Sequence, residues 1–246
     1  MEKKTVQSNK RKSNIELLRI ICTLMVITLH IQNPALLGGV KYARESGSFF
    51  NEAITSWLFC MSIIAVDVFI LISGYFMINS SKRKLEKVVN SLIEKYTSIL
   101  TSLGISILTC AVSFVFPKLW GTNGIIAYNS VLVIIQAAAF FNFFIQLDLR
   151  YNAVINFLAK ASFGVFLLHM AVIRVVSAHF DIHMYFQKGT VSALLCYLAL
   201  LFSSYIVCML FDSLARFVMT PVSKLWSQTK LFSYDTGFTL TKKGNS

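Results

Sequence analysis

Charged residues are scarce in this 246-residue chain, since only 14% are Asp, Glu, Lys or Arg, whereas 56% are hydrophobic. Acidic residues are scarcer than basic ones, with 11 Asp and Glu against 23 Lys and Arg. The mean hydropathy of +0.66 lies well above that of an ordinary soluble domain. These values exclude a soluble globular protein and predict an integral membrane protein.

Ligand and disulfide patterns are also lacking. The five cysteines all lie inside apolar runs, and their spacing matches neither a disulfide framework nor a zinc motif. His179 and His183 have the spacing of a metal pair, but no other ligand-like cluster is near them, and we predict no metal site. The chain has no internal repeat, low-complexity tract or Gly/Ser linker. We therefore expect a basic tail at 1–12, one transmembrane domain at 13–220 and a C-terminal tail at 221–246.

Six apolar runs are long enough to cross about 30 Å of hydrocarbon. They lie at about 15–36, 53–78, 96–116, 125–147, 153–177 and 191–211. Basic residues cluster before the first run, between the second and third, and after the sixth. The six runs predict an all-α polytopic transmembrane bundle of about six spans. Because basic loops resist translocation, we predict that both termini are cytoplasmic. The net charge of +12 reflects this topology and attraction to membrane lipids, so no nucleic-acid partner is expected.

The first run carries an arginine near its start and a histidine near its end. In "RIICTLMVITLH", ten residues separate Arg19 from His30, which places them on nearly the same helix face, about 16 Å apart along the axis. A guanidinium suits phosphate or pyrophosphate, and an imidazole can take a proton from a hydroxyl near neutral pH. The structural alternatives are a snorkelling anchor for Arg19 and an interfacial position for His30.

Two more ionisable residues lie inside apolar runs. Asp67 costs several kcal/mol in the membrane unless it is paired or faces a polar cavity. Arg19, Lys160 or backbone donors are its candidate partners. His169 either lines the same cavity or is a hydrogen-bonded structural histidine.

Other blocks of the chain follow the arginine-to-histidine motif in a recognisable order. "VDVFILISGYFM" at 66–77 contains an aspartate, an aromatic run and a Ser-Gly-Tyr sequence. "INFLAKASFGVFLLHM" at 155–170 contains a Lys-x-Ser-Phe-Gly run before a Leu-His pair, and "YNSVLVIIQAAAFFNFF" at 128–144 precedes it. Together these blocks resemble acyltransferase family 3, a family of bacterial integral-membrane O-acyltransferases.

The resemblance implies a multi-pass enzyme of the bacterial cytoplasmic membrane. Its reaction would move an acyl group, usually acetyl, from acetyl-CoA or another acyl-CoA to a hydroxyl of a cell-surface polysaccharide or its lipid-linked precursor, without a metal. Arg19 would lie at the donor-binding end, and His30 would be the catalytic base. The further residues expected at the substrate site are Asp67, Ser73, Gly74, Tyr75 and His169.

The chain departs from the family pattern in its centre. A block of spans that family members have is missing near residues 114–124, so part of the bundle that should enclose donor and acceptor is lost. Two alternatives therefore stay open beside the enzyme. One is an inactive, truncated remnant of the family, and the other is a small proton- or ion-coupled transporter that uses the intramembrane charges.

Overall fold

The computed structural model describes residues 13–77, 88–115 and 130–228, and within these ranges it contains helices and no strands. The helices in chain order are α1 (Ser13–Gln32), α2 (Gly39–Glu45), α3 (Phe49–Ser62), α4 (Ala65–Met77), α5 (Val88–Val115), α6 (Val131–Gln146), α7 (Ala153–His179), α8 (His183–Gln187) and α9 (Thr190–Gln228). The predicted all-α fold is confirmed.

Within the described residues, four helical segments are long and apolar enough to cross a membrane, and two shorter apolar helices accompany them. The four are Ser13–Gln32, Phe49–Tyr75, Ala153–His179 and Thr190–Pro221, and the shorter two are Tyr96–Val112 and Val131–Gln146. All six coincide with the apolar runs of the sequence. The cytoplasmic position of both termini stays a prediction, because it depends on the membrane itself.

Three details differ from the sequence-based expectation. The second run forms two helices, α3 and α4, because the chain turns at Ile63 and Ile64. The last helix continues past residue 211 to Gln228, and short helices α2 and α8 lie in the connections. The predicted tail at 1–12 lies outside the described residues. So does most of the range 114–124, where the sequence departs from the family pattern.

α1 forms the centre of the bundle. In its apolar segment 72% of residues are buried, against 33% to 39% in the other three long segments. It packs against α3, α4, α6, α7 and α9. The helix that carries Arg19 and His30 therefore packs against each of the other three long segments.

Hydrogen bonds fix the start of α1 against its neighbours. Asn14 Nδ2 donates to the carbonyl oxygen of Phe144 at 3.0 Å, at the end of α6. The Ser13 hydroxyl accepts from the backbone N–H of Asn152 at 2.9 Å, where α7 begins. The starts of α1 and α7 therefore lie together, at one end of the bundle.

Candidate functional site

A cavity of about 470 Å³ lies where α1, α4, α7 and α9 meet. Its polar lining residues are Arg19, Ser73, Lys160, Ser162 and Arg216, and its aromatic ones are Phe69, Phe163 and Phe166. Arg19 and Lys160 lie in the first halves of α1 and α7, whereas Ser73 and Arg216 lie in the second halves of α4 and α9. The packing of α1, α7 and α9 thus brings three cationic side chains from distant parts of the chain to one cavity.

Arg19 is held on its own helix by an acidic neighbour. Its Nη1 lies 3.4 Å from Oε2 of Glu16, one turn earlier. The Glu16 side chain is only 4% exposed, whereas that of Arg19 is 32% exposed. The carboxylate therefore anchors the guanidinium from the protein side, and the cavity side of Arg19 stays accessible.

Arg216 is oriented by α7 and by its own helix. Its Nη2 donates to Oδ2 of Asp212 at 2.5 Å and to the backbone carbonyl oxygen of Lys160 at 2.5 Å. The Asp212 carboxylate packs directly against Gly164 of α7, where a Cβ would collide with it. A glycine at this contact lets α7 and α9 approach closely, as small residues do at helix interfaces in membranes. The side chain of Arg216 is therefore preorganised at the cavity wall.

Sequence reasoning missed the roles of Lys160, Asp212 and Arg216 at this cavity. In the sequence, Lys160 stands out as a candidate partner of Asp67 and as the lysine of the Lys-x-Ser-Phe-Gly run, and Arg216 is one of the basic residues after the sixth apolar run. The available signal was weak: each is a charged residue close to the predicted inner end of an apolar run. Only the packing of α7 on α9 shows that both cations reach the cavity of Arg19.

His30 and His169 come together in the other half of the bundle. Their ring centroids are 5.0 Å apart and the rings are tilted by 36°. His169 is buried, and its Nδ1 lies 2.6 Å from the carbonyl oxygen of Phe166. Because a carbonyl oxygen can only accept, Nδ1 carries the proton and Nε2 carries the lone pair in the neutral ring. Nε2 is buried and has no hydrogen-bond partner among the described residues.

Phe166 connects the histidine pair to the cavity. Its ring lines the cavity and lies 5.8 Å from the His169 ring, measured between centroids. The ring of Phe69, from α4, packs against Phe166 at 5.4 Å. The two histidines are not themselves among the cavity-lining residues, so the structure brings Arg19 and Ser73 to the cavity and pairs His30 with His169 beyond it.

The other predicted site residues are more scattered. Ser73 donates its hydroxyl to the carbonyl oxygen of Phe69 at 2.9 Å, and the space next to Gly74 is open. The Tyr75 ring packs against Phe141 with centroids 6.1 Å apart. Asp67 stands in the first turn of α4, and its Oδ2 is buried without a hydrogen-bond partner in the described part of the chain. The described ion pairs do not join Asp67 to either of its expected cationic partners.

The histidine pair at 179 and 183 lies at the opposite end of the bundle. His179 lines a second cavity of about 390 Å³ with Asp181, and Nε2 of His183 lies 3.9 Å from Oε2 of Glu45. No group of three or more His, Cys, Asp or Glu side chains within 13–77, 88–115 and 130–228 is arranged to hold a metal ion. His179 ends α7 and His183 begins α8, and neither lines the cation-lined cavity.

Comparison with known families identifies the N-terminal part of the chain. A family model described as an acyltransferase domain matches residues 12–116. This range contains the arginine-to-histidine motif and the Ser-Gly-Tyr block, so the predicted resemblance to acyltransferase family 3 is confirmed there as a partial match. No curated protein and no solved structure gives a significant match. The chain is thus a helical membrane protein in which residues 12–116 are similar to an acyltransferase domain.

Proposed function

From this partial match to an acyltransferase domain, we propose that the protein is a membrane O-acyltransferase that uses acetyl-CoA or another acyl-CoA as donor. The proposed acceptor is a hydroxyl of a cell-surface glycan or of its lipid-linked precursor. The observation that carries the proposal is the cavity lined by Arg19, Lys160 and Arg216, on the same helix bundle as the paired histidines.

The cation-lined cavity suits the phosphates of the donor. Arg19 and Arg216 can each make bidentate contacts to phosphate oxygens, and Lys160 adds a point charge. Glu16 and Asp212 neutralise part of this charge but also fix the two guanidiniums. The aromatic lining of the cavity can cover the apolar parts of the nucleotide. This combination favours a phosphorylated donor over a simple inorganic ion.

His30, which is paired with His169, supplies the base. His30 lies about 16 Å from Arg19 along α1, which is the order of length of an extended pantetheine arm. In the reaction, His30 takes the proton of the acceptor hydroxyl, whose oxygen attacks the thioester carbon. The carbon–sulfur bond breaks, and the departing CoA sulfur takes the proton from His30, which regenerates the neutral imidazole.

The test uses membranes that contain the protein, ¹⁴C-acetyl-CoA and the host's own glycan, with alkali-labile glycan ester as readout. We expect Arg216→Gln to lower kcat/KM for acetyl-CoA about 10- to 100-fold, since a hydrogen bond to a charged group contributes about 1.5–3 kcal/mol. The penalty should vanish with S-acetylpantetheine, which has no phosphate. Arg150→Gln is the matched control, because Arg150 is an exposed arginine in the α6–α7 connection that does not line the cavity.

His30→Ala should lower ester formation by about a hundredfold or more with both donors while the protein remains in the membrane. Ester formation unchanged in His30→Ala would overturn the role of this base. An Arg216→Gln penalty that is equal for acetyl-CoA and S-acetylpantetheine would overturn the phosphate site. Absence of any labelled ester with the unaltered protein would favour the remnant or transporter alternative.

A further inference from the structure

Nε2 of His169 is one of several buried polar atoms that have no hydrogen-bond partner among the described residues. The residue is 4% exposed, and its Nδ1 is tied to the backbone of its own helix at 2.6 Å. Its Nε2 therefore presents a lone pair that is buried and lacks a donor among the residues that the structure describes. A buried acceptor without a donor costs free energy on the order of 1–3 kcal/mol, so its retention in the core calls for a partner that forms during function.

The nearest candidate donor is His30. A hydrogen bond between two imidazoles has a nitrogen–nitrogen distance of about 2.9 Å. Adding the distance from each ring centre to its nitrogen gives a centroid separation close to the 5.0 Å found here. The rings are thus at the right separation but not aligned, since they are tilted by 36°. The last torsion of a histidine side chain is soft, and His30 is only half-buried, so rotation of its ring can complete the bond.

We propose that His169 is a positioning residue whose Nε2 accepts the ring N–H of His30 and thereby selects one tautomer of that histidine. With one nitrogen of His30 committed as a donor, the other must carry the lone pair, and this nitrogen is the one offered to the acceptor hydroxyl. His169 thus sets the tautomer of His30, a role that an acidic residue has in other histidine dyads. No carboxylate has to be placed in the membrane for this role. The inference rests on the proposed function for its catalytic consequence, but its structural part is independent of that function.

The chain contains only four histidines, so the tautomers can be read directly. Protein labelled with ¹⁵N-histidine is placed in nanodiscs at pH 8, above the ordinary histidine pKa of about 6.5. Two-bond ¹H–¹⁵N correlations then report which nitrogen of each ring is protonated, and single His→Gln variants assign the four signals. We expect His169 to carry its proton on Nδ1 and His30 to populate a single tautomer.

Two substitutions separate the acceptor from the packing. His169→Leu removes the lone pair at similar volume, and we expect the His30 tautomers to mix and kcat for ester formation to fall about 10- to 100-fold, as misplacement of a reacting group does. KM for acetyl-CoA should stay within about twofold, because binding and catalysis use different ends of the bundle. His169→Gln returns an acceptor oxygen near the position of Nε2, and it should restore the single tautomer and most of kcat.

Three results would overturn the pairing. The first is a proton on Nε2 of His169 in the unaltered protein, and the second is an unchanged His30 spectrum in a folded His169→Leu variant. The third is a loss that appears in KM for acetyl-CoA with kcat unchanged. If the tautomer change occurs in a protein that forms no ester, the pairing is upheld and only the proposed function fails.

Discussion

Gly164→Ala tests whether close approach of α7 and α9 builds the cation-lined cavity. A Cβ at this position would lie 2.7 Å from Cβ of Asp212, against 3.4 Å for ordinary contact, a shortfall of about 0.7 Å. Because the Cβ of Asp212 is fixed to its backbone, rotation of the side chain cannot relieve the clash, and the helices must separate. Such overpacking costs about 1–3 kcal/mol. The same separation would pull Arg216 of α9 away from the backbone carbonyl oxygen of Lys160 on α7.

Gly104→Ala is the matched control. Gly104 lies inside α5, and nothing stands within 4 Å of the position that its Cβ would take. Both variants gain the helix propensity of alanine over glycine, about 1 kcal/mol, so the difference between them isolates the clash. Unfolding in mixed dodecylmaltoside–SDS micelles, followed by tryptophan fluorescence, should show Gly164→Ala less stable than Gly104→Ala by about 1–3 kcal/mol. Equal stabilities, or a more stable Gly164→Ala, would refute the close approach.

Two further predictions concern topology and the buried face of α1. The native cysteines are buried in the structure, so background labelling should be low. We expect a membrane-impermeant maleimide to label Lys188→Cys in intact cells and Arg150→Cys only after permeabilisation. The reverse pattern would mean that the topology is inverted. Tyr197 donates its hydroxyl to Thr28 Oγ1 at 2.7 Å between α9 and α1. A double-mutant cycle with Tyr197→Phe and Thr28→Val should give a coupling of about 0.6 kcal/mol in unfolding free energy, as for other hydrogen bonds between membrane helices, and zero coupling would contradict the bond.

The apolar segments could be predicted because length and hydropathy alone determine which runs cross the hydrocarbon. The separation of Arg19 from His30 could also be predicted, since helix geometry fixes it once α1 is helical. Both predictions concern a single helix. They needed no knowledge of which helices are neighbours, and they therefore did not depend on how the bundle packs.

The polar neighbourhood could not be predicted in the same way. Thr28 lies about 180° from Arg19 around α1, so helix geometry alone places it on the side opposite to the face of Arg19 and His30. Because α1 is central, this side is buried as well, and Thr28 bonds Tyr197 of α9. Likewise, Lys160 and Arg216 are 56 residues apart in the chain, and their meeting depends on the packing of α7 on α9. Contacts set by tertiary packing leave no periodic signal in one sequence.

Phe166 contributes to both halves of the proposed site. Its backbone carbonyl fixes the tautomer of His169, while its ring lines the cavity and packs against Phe69 of α4. A donor whose phosphates are held at the cations would reach the histidines only past this ring. Movement of the ring alone leaves the backbone carbonyl in place, because the carbonyl belongs to the helix. In the proposed reaction, this passage can therefore open for the pantetheine arm without changing the proton on His169, so that the protonation of the base is kept while the donor enters and leaves.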